Sequence, residues 1–285
     1  MIPQQSNTNN RYDIHCTQFK SGWNNTLNYS YYVATGIQTN YFSEAIDGKP
    51  IYRYSSVNKY LLSDLTDGTS LLKISGFNDV YDSTITTKDE TGRWSIKCNA
   101  NSKYYCRCFS ESNDSIHMWS LYADKNRGVC IEYDPGSYGC CLYKVKYEPI
   151  PIDYSPLEKL DIGKYTDKEM LSMLIKSEQW AEEKEWRIIT DIPMDEGHYP
   201  KVHLPIRRIY FGCKFGWGLK TSDTHYECVK QQYAQLRKLI IEKKIKVSVG
   251  KIPANRYSIV FDDYRIQDLI EEDGTPIYDV FNDRN

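Results

Sequence analysis

The chain has 285 residues, 40% hydrophobic and 14% aromatic, enough to fill a sizeable core in one large domain or two small ones. With 36 basic against 38 acidic residues the formal net charge is −2, so no global field draws the chain to nucleic acid or to an anionic membrane. Its apolar runs are only a few residues long and residues 1–10 are polar, which predicts a cytoplasmic protein with neither a membrane span nor a signal peptide.

Residues 1–50 are rich in Asn, Thr, Ser and Tyr and read as an N-terminal extension packed on a single main domain, 51–285. In that domain "IYRYSS" is a short strand. "SVNKYLLSDLTDG" follows as a helix, with Tyr60, Leu61, Leu62 and Leu65 at helical spacing behind a cap at Ser56 or Asn58. "TSLLKIS" predicts a second strand, and "GFNDVYD" a turn in which Asn78 and Asp79 bond backbone amides. Residues 83–103 are of mixed polarity and carry no assignment.

"YYCRCFS" alternates as a strand does, and "NDSIHMWSLYADKN" suits a short buried helix through Ile116, Trp119, Leu121 and Tyr122. "RGVCIEYD" reads as a strand closed by the turn Asp134-Pro135-Gly136, with "CLYKVKYEPI" as its hairpin partner. "TDKEMLSMLIKSEQWAEEKEW" predicts one long amphipathic helix leading into the strand "EWRIIT". The strand "IRRIYFG", a helix in "DTHYECVKQQYAQLRKLIIEKK", and the strands "KVSVGKI" and "YSIVFDDY" complete the chain. This irregular order predicts an α+β fold with a mixed, largely antiparallel sheet and flanking helices. The basic stretch "IEKKIKVSVGK" reads as a solvated helix end.

The nine cysteines, an odd set without an export signal, predict reduced thiols. Cys98, Cys106, Cys108, Cys140 and Cys141 lack the paired CxxC-like spacing of a structural zinc site, so no metal is expected. Dinucleotide, phosphate-loop, zinc-protease and hydrolase signatures are absent from the sequence. His117 is the one histidine placed for a pocket, with a core position as its alternative.

Three segments mix polar and aromatic residues where a purely structural element needs neither: "YRYSS", "GFNDVYD" with "CFSE" and "MWSLYA", and "WAEEKEWR". The order FND, CFSE, MWSxYA, GVCIEYD, WxxExEWR and IxxIYFG resembles the bacterial domain-of-unknown-function family 2971 over residues 51 to about 215. That family is in turn remotely similar to the ADP-ribosyltransferase superfamily. The resemblance implies a split sheet holding NAD as substrate, with no metal. It also implies transfer of ADP-ribose to a protein or nucleic-acid acceptor, or hydrolysis of NAD, as in a toxin or phage-defence effector.

Carried over, Arg53 with Tyr54 fills the first motif, Ser110 or Tyr122 the second, and Glu185 the catalytic third. Arg53 would hold the pyrophosphate, Tyr54, Trp119 or Tyr122 would stack on a base, and Asn78 joins the candidates for holding the cofactor. A carboxylate beside the ribose suits the oxocarbenium character of the broken bond. The alternative for this class is a non-catalytic nucleotide- or protein-binding module using the same cleft. For "WAEEKEWR" the alternative is structural: a buried pair of Arg187 with Glu183 or Glu185 under two packing tryptophans. In the catalytic reading Glu183 is an exposed neighbour whose loss should be silent.

Overall fold

The computed structural model describes residues 23–43, 46, 48–73, 77–98, 103–136, 142–159, 168–192, 198–219, 224–278 and 280. The strands are β1 (Ile51–Ser55), β2 (Thr69–Ser70), β3 (Thr84–Lys88), β4 (Trp94–Cys98), β5 (Tyr105–Ser110), β6 (Val129–Tyr133) and β7 (Leu142–Lys144). After them come β8 (Lys146–Glu148), β9 (Ile175–Ser177), β10 (Glu185–Thr190), β11 (Lys201–Val202), β12 (Ile206–Phe211), β13 (Lys246–Lys251) and β14 (Val260–Tyr264). The helices are α1 (Trp23–Thr35), α2 (Lys59–Asp67), α3 (Ile116–Tyr122), α4 (Ser155–Glu158), α5 (Lys168–Ser172) and α6 (Tyr226–Glu242). None of the described helices is long and apolar enough to cross a membrane.

The fold is α+β. One eight-stranded sheet has the order β14-β13-β12-β6-β1-β5-β10-β7. It is antiparallel except where β12 and β13 run parallel, joined through α6 because a parallel pair cannot be closed by a tight turn. Strand alternation sorts side chains between its faces. Ile51, Phe109, Ile131, Trp186, Ile188, Ile209 and Val249 belong to one core with Leu61, Leu62 and Leu65 of α2 and Leu236 and Ile240 of α6. On the opposite face Cys106 and Ile189 join α1, α4 and α5 through Leu27, Leu157 and Leu171. Trp119 of α3 sits with Tyr54, Cys130, Tyr210 and Ile259 in a third cluster. Of the first fifty residues, α1 and the short 3-10 helix Tyr41–Ser43 contribute Tyr31 and Phe42 to the second core.

Most predicted strands stand where the sequence placed them, and α2 is capped by Asn58, whose side chain accepts from the Tyr60 and Leu61 amides; Leu61, Leu62 and Leu65 are buried, whereas Tyr60 is exposed. Four expectations fail. "CLYKVKYEPI" is not the partner of β6: β7 pairs with β10 and β8 with β9, while β6 lies between β1 and β12. The long helix is instead α5, then β9, then a 3-10 helix over Glu178–Glu183. Met170 through Lys176 are all buried, and a helix exposing one face to water cannot bury seven consecutive residues.

"TSLLKIS" contributes only the two-residue β2 and an isolated bridge from Leu72 to Cys106. In α3 the buried residues are Met118 and Trp119, whereas Ile116 and Leu121 are exposed and Ser115 is the cap. The unassigned stretch 83–103 contains the hairpin β3–β4, closed by Asp89, whose carboxylate accepts from the Thr91 and Arg93 amides.

Candidate functional site

Strand β1 follows β6 over five paired positions but meets β5 at one, Tyr52 opposite Ser110. Farther along β5, the backbone of Cys106 bonds Leu72 in both directions. The sheet therefore forks between β1 and β5. A cleft of about 270 Å³ opens at this fork, lined from β1 by Tyr52, Arg53 and Tyr54, from β5 by residues 106–110, and from α3 by Met118 and Tyr122. Phe77, Asn78, Asp82, Lys176, Glu183, Glu185 and Arg187 close it. Its volume falls just below the range of about 300–1,000 Å³ usual for ligand sites.

One wall is a chain of buried charges. Arg187 grips Asp82 with both terminal nitrogens, at 2.9 and 2.6 Å, and Glu185 through Nε and Nη2, at 2.7 and 3.0 Å. The Lys176 ammonium donates to Glu183 at 2.5 Å and to Glu185 at 3.3 Å, and Tyr122 Oη donates to Glu183 Oε1 at 2.6 Å. Phe77 lies over the Arg187 guanidinium and Trp180 over the Lys176 ammonium, each about 5 Å from the ring centre. Burial pushes the Glu185 carboxyl up, but the charges of Arg187 and Lys176 outweigh it and hold the group at about 2. Glu183 is shifted the other way, because burial there exceeds the help from Lys176 and Tyr122.

Local geometry lets both acids share one lysine. The 3-10 helix ends at Lys184, a non-glycine residue held left-handed at φ 45°, whose N–H returns to Ala181. Ser110 Oγ donates to the Glu183 carbonyl at 2.7 Å and accepts from the Ser112 amide. Tyr147 Oη accepts the Glu185 amide. The corner is thus fixed on both sides before β10 begins.

On the other side of β1 and β5, Arg53 and Arg107 both bond Oδ2 of Asp64 from α2, Arg107 at 2.8 Å. Burial, then the neighbouring charge of Arg53, lowers Arg107 to about 10. The fork lets these two side chains line the same cleft as Glu183 and Glu185 although they occupy the opposite face of their strands. With its groups ionised, the acidic wall holds three carboxylates against two cations. The basic wall holds two guanidinium groups against one carboxylate.

The residues singled out in the sequence fare unequally. Arg53, Tyr54, Asn78, Ser110, Tyr122 and Glu185 all line the cleft. Trp119 does not: it is fully buried in the third cluster, edge-on to Tyr54, with Nε1 bonded to the Asn113 carbonyl, so no ring face is open to a ligand. Ser110 is fully buried with its hydroxyl engaged, whereas Tyr122 is half-buried at the acid. Tyr54 donates its hydroxyl to the Ser112 carbonyl and offers only ring surface. Glu183, expected to be exposed, is buried by Lys176 and Tyr122. Arg187 pairs with Glu185 and Asp82, not Glu183, and Trp186 points to the opposite core.

His117 is exposed, neither in a pocket nor in the core. Cys140 and Cys141 lie outside the described residues. Cys106 and Cys108 have sulfurs 3.9 Å apart, and no group of three or more metal-ligating side chains occurs among the described residues.

Asp82, Lys176 and Arg107 were missed. A signal existed for the last two: a lone lysine ending the apolar run "MLIK" and an arginine at the centre of "YCRCF" are charges the pattern buries, and buried charges need partners.

A family model for proteins of unknown function (DUF2971) matches residues 118–188. The matched segment runs from α3 to the middle of β10. It carries Tyr122, Lys176, Glu183, Glu185 and Arg187, and leaves β1 and β5 outside. Comparison with curated proteins and with solved structures found no match.

Proposed function

We propose that the cleft binds NAD and that the protein breaks the bond between nicotinamide and ribose, passing ADP-ribose to a macromolecular acceptor or to water. The observation supporting this reading is the division of charge across one small cleft: a surplus carboxylate on one wall and a surplus guanidinium on the other. When the bond breaks, its electron pair leaves with nicotinamide, which becomes neutral, and the positive charge stays on the ribose carbon. The acidic wall suits that charge. The basic wall suits the pyrophosphate.

In this reading Glu185, held ionised by Arg187 and Lys176, supplies the fixed negative charge. Glu183, whose affinity for a proton is raised, takes the proton of the attacking hydroxyl or water. Tyr122 orients Glu183, and its ring with that of Tyr54 forms the apolar seat for nicotinamide. Asn78 at the rim suits the carboxamide. Of the two middle-motif candidates, Tyr122 is the one with a side chain open to the cleft; Ser110 serves by fixing the Glu183 backbone.

Release of nicotinamide from NAD, followed chromatographically, tests the proposal. Glu183→Gln and Glu185→Gln should each lower the rate by about 100-fold or more, measured below the melting temperature of each protein. Wild-type protein that releases no nicotinamide, or a folded Glu185→Gln protein working at the wild-type rate, would refute it. A second reading, a binding module without turnover, is favoured by the bidentate hold of Arg187 on Glu185, which already neutralises that acid. It requires NAD or a related nucleotide to bind and be recovered intact.

A further inference from the structure

The acidic wall is internally saturated, whereas the basic wall is not. Asp64 accepts one N–H from Arg53 and one from Arg107 on the same oxygen. Its other oxygen faces the Ser70 amide at 3.4 Å. No acceptor among the described residues takes the remaining N–H groups of the two guanidiniums, and Nε of Arg107 is sealed from solvent without any partner. Both side chains are nearly buried, with 15% and 13% of their surface exposed. Two guanidinium groups pressed together repel, and one carboxylate neutralises only half of their charge. A buried cation with unused donors beside an open cleft fits an anion that fills those donors.

We infer that Arg107, with Arg53, forms a subsite for a phosphoryl group, with Asp64 as the internal counter-ion that holds both side chains when the subsite is empty. The inference rests on the reading that the cleft receives a nucleotide and names the residue that reads its pyrophosphate. Asp64 leaves two nitrogens of each guanidinium without an acceptor, Nε and Nη2 of Arg53 and Nε and Nη1 of Arg107; because its Nε is sealed from solvent, Arg107 meets the anion through Nη1. A lysine in its place would keep the charge and lose the planar fork that meets two phosphoryl oxygens.

Inorganic pyrophosphate is the probe. In wild-type protein with arginine side chains labelled by 15N, titration should shift the Nε resonances of Arg53 and Arg107, and the affinity should weaken as salt is raised. Arg107→Lys should weaken pyrophosphate binding by about tenfold or more, the loss of one charge-assisted hydrogen bond, and should raise KM for NAD more than it lowers kcat. Neither resonance shifting in the wild-type protein up to millimolar pyrophosphate would overturn the assignment. So would equal affinity in a folded Arg107→Lys protein. Should that variant fail to fold, the wild-type resonances decide alone. Pyrophosphate bound here while NAD remains intact would sink the catalytic reading and leave the subsite standing. NAD cleaved without any pyrophosphate effect would do the reverse.

Discussion

Replacing Glu185 by glutamine removes one charge from the centre of the acidic wall while keeping the volume of the side chain. In the folded protein both carboxylate oxygens accept from Arg187 and one also faces Lys176. These cations hold the group at about 2, against an ordinary value of 4.5. The difference, about 2.5 pH units, corresponds to about 3 kcal/mol of folding stability, undiscounted because the side chain is buried. A folded-state value below the unfolded one means that this stabilisation is fully present above pH 5. It is lost as the pH falls from there towards 2. Glutamine also turns an amide N–H₂ towards the donors of Arg187, which leaves Asp82 as its one charged partner beside the Met173 carbonyl. At pH 7 Glu185→Gln should therefore melt roughly 6–12 °C below wild type, taking about 2–4 °C per kcal/mol for a domain approaching this size.

The pH dependence is the sharper assay. The gap between the two proteins should be widest near neutrality and narrow to less than half by pH 3, because by then the carboxyl has taken up a proton in the unfolded chain while the folded protein still holds it ionised. Glu183 supplies the contrast. Burial raises its proton affinity, so in the folded state its ionised form is disfavoured, and stability gained below its unfolded value is lost as pH rises. Glu183→Gln should accordingly cost much less than Glu185→Gln at pH 7, with Lys176 still held by Glu185 and Asp82. Equal melting temperatures for wild type and Glu185→Gln at pH 7, or a gap unchanged from pH 7 to pH 3, would refute the reasoning.

Other expectations follow from separate parts of the molecule. Trp119→Ala, emptying the third cluster, should cost about 3–5 kcal/mol in urea unfolding; a loss under 1 kcal/mol would mean that Trp119 is not the centre of that core. Lys184→Gly should relieve the left-handed strain and raise stability by up to about 1 kcal/mol, whereas clear destabilisation would show that the Lys184 side chain makes an unrecognised contact. Asn58→Ala should cost about 1 kcal/mol by uncapping α2, and an unchanged midpoint would contradict the two amide bonds. Thiol titration of the unfolded protein without reductant should recover all nine cysteines; a recovery of seven or fewer would reveal a disulfide.

Elements whose structure depends on local periodicity were legible in the sequence. Alternation marked "YYCRCFS" as a strand because a pleated ribbon sorts its side chains by twos, and short β-prone runs marked "IYRYS", "EWRIIT" and "IRRIYF". Asn58 and the leucine spacing gave α2 its start and its buried face. The three polar-aromatic segments, with the family resemblance they carry, pointed to Arg53, Tyr54, Asn78, Ser110, Trp119, Tyr122 and Glu185, of which the cleft brings together all but Trp119. Strand partners were not legible: β6 pairs with β1 and β12, up to 82 residues away in the chain, instead of with the segment that follows it. Pairing is chosen by how whole faces bury, and no window of neighbouring residues contains that information. The same limit hid Asp82 and the partners of Lys176 and Arg107: a charge inside an apolar run marks the last two locally, but which distant groups meet them is not written nearby. It also hid the fork between β1 and β5, which lets side chains from opposite faces of adjoining strands meet in one cleft. Sequence by itself determined which residues carry polar chemistry into a largely apolar sheet; only the tertiary structure decided which are locked in pairs and which remain open to a ligand, because burial and Coulomb energy depend on distances that the chain sets by folding.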